Sequence, residues 1–181
     1  HSDHRRQRQM CIRDRRLTSN NELGRTRGFN WVTGIYRFVR EVDLERDYTW
    51  FEVPYVSKFD VSRSALYGQG TFSLSDRLSL STGLRLEGHD SKFIDSFDVR
   101  FSPQDSLLGG KAVLEMLASE NSRFHASISK GYKSGGFNTS GSLDEPLRLF
   151  EPEILWNIEL GWIVEFEKSD ASLRALLFKM G

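Results

Sequence analysis

From Ile154 to Phe166 the even-numbered positions are Ile154, Trp156, Ile158, Leu160, Trp162, Val164 and Phe166, all apolar. The odd-numbered positions are Leu155, Asn157, Glu159, Gly161, Ile163 and Glu165, mostly polar or small. Alternation of this kind puts the two sets on opposite faces of an extended strand. A helix opening after Glu151-Pro152-Glu153 is the rival, because Leu155, Ile158, Trp162 and Phe166 also share helical spacing. One wholly apolar parity, Gly161 and the Ile, Val and Trp content favour the strand. Its length then narrows the choice of solvent. From Trp156 to Phe166, at ~3.3 Å per step, the chain extends about 33 Å, and tilted by roughly 40° it spans about 25 Å, the height of a membrane barrel's apolar band. Soluble strands more often run about 5–6 residues.

The alternation recurs. Leu78, Leu80, Thr82, Leu84 and Leu86 oppose Ser79, Ser81, Gly83, Arg85 and Glu87. Within Leu108–Ala118, Ala112, Leu114 and Met116 oppose Lys111, Val113 and Glu115. Within Arg123–Gly131, Phe124, Ala126 and Ile128 oppose Arg123, His125, Ser127 and Ser129. Ala65–Leu74 and Ala171–Met180 are strand-like with less distinct faces. Tight polar turns are predicted at Ser75-Asp76-Arg77, Ser119-Glu120-Asn121 and Lys168-Ser169-Asp170. Long links are predicted at Arg40–Arg63, Gly88–Ser106 and Tyr132–Glu153. Short and long connections in turn are what an outer-membrane barrel produces, with short periplasmic turns and long extracellular loops. Aromatic residues near segment ends (Tyr67, Tyr132, Trp156 and Phe166) suit an interfacial girdle. The expected fold is all-β, an antiparallel up-and-down transmembrane β-barrel present as an open partial barrel of about seven or eight strands.

Composition excludes some partners. Lys+Arg and Asp+Glu both number 25, so the formal charge is zero and no electrostatic case for a nucleic-acid partner exists. No apolar run approaches the roughly 18 residues of a transmembrane helix. Cys11 is the sole cysteine, so no internal disulfide can form.

The N-terminal segment is expected to differ from the rest. It is basic, with Arg5, Arg6, Arg8, Arg13, Arg15 and Arg16, and has no apolar core of a signal peptide. Met10-Cys11-Ile12-Arg13-Asp14-Arg15 back-translates to ATG TGT ATA AGA GAC AGN, the pattern of a transposon end used in sequencing-library preparation. Residues 1–16 are therefore expected to be a non-native or disordered segment, and 17–181 the partial barrel. The codons of the source nucleotide sequence decide the point.

Several stretches carry a family resemblance. Ser129-Lys130-Gly131-Tyr132-Lys133-Ser134-Gly135-Gly136-Phe137-Asn138 resembles a segment of TonB-dependent receptor barrels that caps a strand and opens an extracellular loop. Phe150-Glu151-Pro152-Glu153 through Glu159-Leu160-Gly161 is similar to that family's following strand. Leu74-Ser75-Asp76-Arg77-Leu78-Ser79-Leu80 with Gly83-Leu84-Arg85, and Phe29–Tyr36, resemble further strands in the family's order. Together these cover roughly Phe29 to Met180. The resemblance implies part of a barrel of about 22 strands with a plug in its lumen. It also implies a place in the outer membrane of a Gram-negative bacterium. The implied function is active uptake of a scarce extracellular ligand such as an iron–siderophore complex, driven through TonB. The implied partners are outer-membrane lipid, the receptor's own plug, TonB by way of an N-terminal region, and a small extracellular ligand. Plug, TonB-contacting segment and terminal aromatic strand end are not found here, so a fragment is expected. A passive porin-like barrel and a soluble carbohydrate-binding β-sandwich are the alternatives. The sandwich would bury Trp156, Ile158, Leu160 and Trp162 under a second sheet.

No residue set has catalytic spacing, so no enzyme, catalytic residue or cofactor is expected. Gly135 and Gly136 lack a phosphate-binding pattern and suit a turn. Glu151 and Glu153 suit a loop cap, and His89 and His125 have no partners at metal-ligand spacing. Arg85, Lys111, Glu115, Arg123, His125 and Glu159 are the candidate lumen-facing polar residues, pairing across strands. Tyr132, Lys133, Phe137 and Asn138 are the candidate ligand-binding loop residues, from position and chemistry alone.

Overall fold

The computed structural model describes residues 2–19, 29–47, 52–138, 145–166 and 171–181. In chain order the strands are β1 (Ser2–Thr18), β2 (Phe29–Asp47), β3 (Tyr55–Ser73), β4 (Leu78–Asp95), β5 (Arg100–Phe101), β6 (Gln104–Ser119), β7 (Ser122–Lys133), β8 (Gly136–Phe137), β9 (Leu149–Phe150), β10 (Glu153–Phe166) and β11 (Ala171–Met180). One antiparallel sheet runs β1-β2-β3-β4-β6-β7-β10-β11, with β5 added to β4. Each long strand lies beside the next long strand in sequence, which is up-and-down topology. β8 and β9 form a separate two-stranded ribbon. The sheet is open, ending at β1 and β11.

Ile154–Phe166 is a strand, paired with β7 on one side and β11 on the other. The turn at 75–77 is closed by Leu74 N and Ser75 N, which both donate to Leu78 O at 2.8 and 3.1 Å. The turn predicted at Lys168-Ser169-Asp170 lies outside the described residues.

Two of the predicted long links are a correction. β2 continues to Asp47 and β3 already begins at Tyr55, while β4 continues to Asp95 and β6 begins at Gln104. The period of two persists through these stretches, but the apolar set changes face. In the lower part the apolar side is the outer face: Leu66, Leu86 and Leu108 share one row, and Leu84 is 66% exposed. Higher up, toward the 96–103 connection, the outer positions are Ser62, Asp60, Lys58, Gly88, Asp90, Lys92 and Ile94, mostly polar or charged. The inner positions there are Val61, Phe59, Ser91 and Phe93.

The buried apolar residues Val42, Val61, Ala65, Phe93, Phe101 and Leu107 all take inner positions in the register. Phe137, from the β8–β9 ribbon, packs its ring 5.6 Å from Phe59, 5.1 Å from Phe93 and 5.3 Å from Phe101. The same interior holds His89, whose Nδ1 accepts from Arg63 Nε at 2.9 Å. This upper part is a small water-type core, with apolar groups inside and charge outside.

At the β1 edge the outer face is charged. Arg13 sits directly opposite Arg37, and Arg15 opposite Ile35. Like charges directly opposed across a ladder are unfavourable. The expected boundary at residue 16 falls inside β1.

Candidate functional site

The inner wall is built by parity. On β4, Arg85 and Glu87 are two residues apart, so both point to the same side. Arg85 Nε donates to Glu87 Oε2 at 2.9 Å, and a second guanidinium nitrogen reaches the same oxygen. Glu87 is 7% exposed in its side chain, so its charge needs this partner. Tyr132 OH donates to Glu87 Oε2 at 3.3 Å and accepts from Arg85 Nε at 3.1 Å. Register brings two more rings to the spot. Tyr67 on β3 is directly opposite Arg85. The Tyr36 ring on β2 lies 5.3 Å from the Arg85 guanidinium carbon, a cation–π distance. One arginine is thus held by a carboxylate and flanked by tyrosines of separate strands.

Tyr132 reaches Arg85 because the sheet parts above it. β6–β7 pairing ends at Gly110↔Lys130, while β7 stays paired to β10 as far as Lys133↔Glu153. The Tyr132 ring then leans over Gly109, where an added Cβ would come within 2.8 Å of it. Tyr67 and Tyr132 therefore turn inward, which corrects their expected place in a lipid girdle. Trp156 takes the outer face and is 48% exposed.

Further down the wall, His125 Nε2 and Glu159 Oε1 are 2.8 Å apart. The His125 ring lies flat over Gly161, where a Cβ would collide with it. Arg123 Nη2 donates to Glu165 Oε1 at 3.0 Å in an exposed pair. Lys111 stands opposite Gly83 and Ser129, and Glu115 opposite Ser79 and His125. All six polar positions read from the sequence thus share the inner parity, although they form three separate groupings with Lys111 and Glu115 apart.

The loop candidates separate from one another. Tyr132 belongs to the Arg85 cluster and Phe137 to the aromatic core. Lys133 is exposed and lies 3.4 Å from Glu153 Oε1. Asn138 is exposed, its backbone N donating to Arg148 O at 2.7 Å. Glu87, Tyr36 and Tyr67 are the residues that sequence reasoning left out of the cluster. Parity marked Glu87 as inward, but only the register shows which rings stand beside Arg85. Among the described residues, no group of three or more His, Cys, Asp or Glu side chains is placed to hold a metal ion.

An exposed apolar outer face, a polar inner wall and up-and-down strands define the class: the strand wall of a membrane β-barrel. A family model for the TonB dependent receptor-like beta-barrel matches residues 3–180. The chain belongs to the TonB-dependent receptor beta-barrel family. It is 26% identical to a pesticin receptor of Yersinia enterocolitica over 166 residues, which is 86% of this chain and 24% of that protein. The chain therefore spans about a quarter of the length of the curated relatives it matches. Among solved structures it resembles the ferric yersiniabactin uptake receptor FyuA from Yersinia pestis, with TM-score 0.72, 22% identity, and 93% of this chain and 28% of that one covered. It also resembles the ferric-catecholate import receptor Fiu from E. coli K12, with TM-score 0.76, 14% identity, and 94% and 31% covered. These two likenesses bear on the fold. Members of the family are outer-membrane proteins of Gram-negative bacteria.

Proposed function

We propose that this chain is part of the wall of an outer-membrane receptor that takes up a scarce extracellular ligand such as an iron–siderophore complex. Its bacterium is Gram-negative, a plug fills the barrel, and energy arrives through TonB by way of an N-terminal region. The protein binds and transports and performs no catalysis. The observation that carries this reading is the family match along the whole strand wall. The relatives' names, pesticin receptor and ferric yersiniabactin uptake receptor, support an iron-chelate cargo.

Exposed Lys133 and Asn138 are the ligand contacts of choice, with Tyr132 and Phe137 holding the wall and loop beneath them. The Arg85 cluster on the inner wall faces the plug. The reading also takes residues 1–16 as foreign to the barrel, from the transposon-like codon pattern and the opposed Arg13 and Arg37, against a family match that begins at residue 3.

The test is uptake of a panel of radiolabelled ferric chelates by cells with and without the complete receptor. One chelate is expected to lose uptake on deletion, and equally when the inner-membrane proton gradient is collapsed. Uptake that ignores the gradient supports the passive porin-like barrel instead. In the complete receptor, Lys133→Ala with Asn138→Ala is expected to weaken chelate binding about tenfold, roughly 1.4 kcal/mol. Unchanged affinity removes these residues from the site.

A further inference from the structure

In the upper part of the wall, above the apolar band, one inner row sets three titratable or charged side chains next to one another. Arg63 of β3 stands opposite His89 of β4, and His89 opposite Asp105 of β6. His89 is 4% exposed. Arg63 Nε donates to His89 Nδ1 at 2.9 Å. A ring nitrogen that accepts carries no proton, so the imidazole is neutral with its proton on Nε2. Among the described residues Nε2 makes no hydrogen bond. Asp105 Oδ2 and, one inner position above His89, Ser91 Oγ are buried and likewise without a partner. A neutral imidazole tied to a guanidinium thus stands beside a carboxylate with an unused oxygen.

Protonation must occur at Nδ1, the atom that Arg63 holds. It ends that hydrogen bond and sets an imidazolium beside a guanidinium. Across the ladder the new cation faces one carboxylate, Asp105. Glu87, one inner position below, is already bonded to Arg85, and Asp90 takes the outer side. Burial first and Arg63 second hold the His89 pKa below its ordinary value of 6.5, against the pull of Asp105, Glu87 and Asp90. The folded protein therefore takes up this proton at lower pH than the unfolded chain does. The stability involved is whole above about pH 6.5 and is lost as pH falls from there through the lowered folded value.

Asp105 closes a short segment that caps β4. Within it Pro103 O accepts from Ser91 N at 3.1 Å, and Phe101 stands opposite Phe93. The Phe101 ring stacks 5.3 Å from Phe137, which seats the β8–β9 ribbon on the wall. A shift of Asp105 is thus passed through Pro103 to the support of the ribbon. We propose that His89 is an acid-operated switch for the mouth of the barrel. On protonation it releases Arg63 and turns to Asp105, and the movement of residues 100–105 unseats Phe137 and the ribbon. Long connections of such barrels face outward, so the switch reads the pH of the medium. It works whatever the cargo is.

The test uses the complete receptor in detergent. Exchange of the imidazole C2 hydrogen, followed peptide by peptide by mass spectrometry over a pH series, gives the His89 midpoint. In the unaltered receptor it is expected below the ordinary imidazole value. Arg63→Met removes the donor and the like charge, and should raise the midpoint by about one pH unit, a tenfold change in proton affinity. Asp105→Asn removes the acceptor of the cation and should lower it. Backbone amide exchange, corrected for its intrinsic pH dependence, should rise at β5, β8 and β9 between about pH 7 and about pH 5, and stay level at Leu80–Leu84. His89→Gln keeps an acceptor for Arg63 and cannot titrate, so it should abolish that rise. Heat-shifted gel mobility confirms that each variant is a folded barrel. Three results overturn the proposal: a midpoint at or above the ordinary value in the unaltered receptor, shifts of the same sign in the two midpoint variants, or a ribbon whose exchange ignores pH or responds equally without His89.

Discussion

The lower stretch of β4, Leu78 to Leu86, and its upper stretch, Gly88 to Ile94, belong to one strand with one register to β3. Below, the outer side is Leu80, Leu84 and Leu86, and the inner side is Ser81, Gly83 and Arg85. Above, the outer side is Gly88, Asp90, Lys92 and, at its end, Ile94, and the inner side holds His89 at 4% and Phe93 at 4% exposure. The backbone geometry is the same in both. What changes is which face meets an apolar medium. In the lower part lipid takes the place of a core, so leucine can stand exposed. In the upper part water is outside, and the chain must supply apolar material inside, which it does with Phe59, Phe93, Phe101 and Phe137. The crossover, where the apolar side passes from the outer face to the inner one, lies between Leu86 and Gly88.

The sharpest way to break this comparison is to exchange charge between the two halves in the complete receptor. Leu84→Arg places a cation in the apolar band between its middle and its upper edge and is expected to destabilise the barrel by about 2.5 kcal/mol, between the midplane and interfacial costs. Lys92→Leu, on the same outer parity one crossover higher, should change stability by less than about 0.5 kcal/mol. Denaturation of the receptor in lipid vesicles measures both. Equal effects at the two positions would mean that no solvent boundary lies between them.

A second, smaller effect tests the upper core. Phe93→Ala removes a ring packed against Phe101 and Phe137, and is expected to cost about 2 kcal/mol, below the ~3–5 kcal/mol of a fully enclosed phenylalanine because Phe137 is half-exposed. The loss should fall on the upper half alone. Hydrogen exchange should rise at β8, β9 and the upper part of β4 and stay unchanged at Leu80–Leu84. Uniform loss of protection along β4 would show one cooperative unit without a separate upper core.

The sequence made one half more legible than the other for a physical reason. Ile154–Phe166 keeps its apolar residues on one parity throughout, so its faces can be read without knowing any neighbour. Tyr55–Ser64 and Gly88–Ile94 keep the period but exchange the faces, and a face exchange within one strand reads as a loop. Within the site, the inward parity of Arg85, His125 and Glu159 could be read from alternation. The company of Arg85 could not, because Tyr36, Tyr67 and Tyr132 reach it from strands whose register no local pattern specifies. Tyr132 also breaks the alternation of β7. It leans across Gly109 because β6 and β7 have parted, a feature of two strands that neither sequence shows alone.

The smallest expected effect lies at the crossover itself, where Glu87 is shielded by Arg85 and Tyr132 yet stands next to the wet inner wall. Glu87→Gln keeps the shape and removes the charge. Arg85 would lose its counter-ion but retain the Tyr36 ring, and at 36% side-chain exposure water can reach it. Such a change is worth about 1 kcal/mol, less than a fully buried pair and more than an exposed one. The control is Glu165→Gln, whose partner Arg123 is 51% exposed, where the expected change is less than about 0.5 kcal/mol. A Glu87 effect no larger than the Glu165 effect would place the Arg85 cluster in the fully hydrated part of the wall. A loss approaching that of Phe93→Ala would instead join Glu87 to the upper core and move the crossover down the strand.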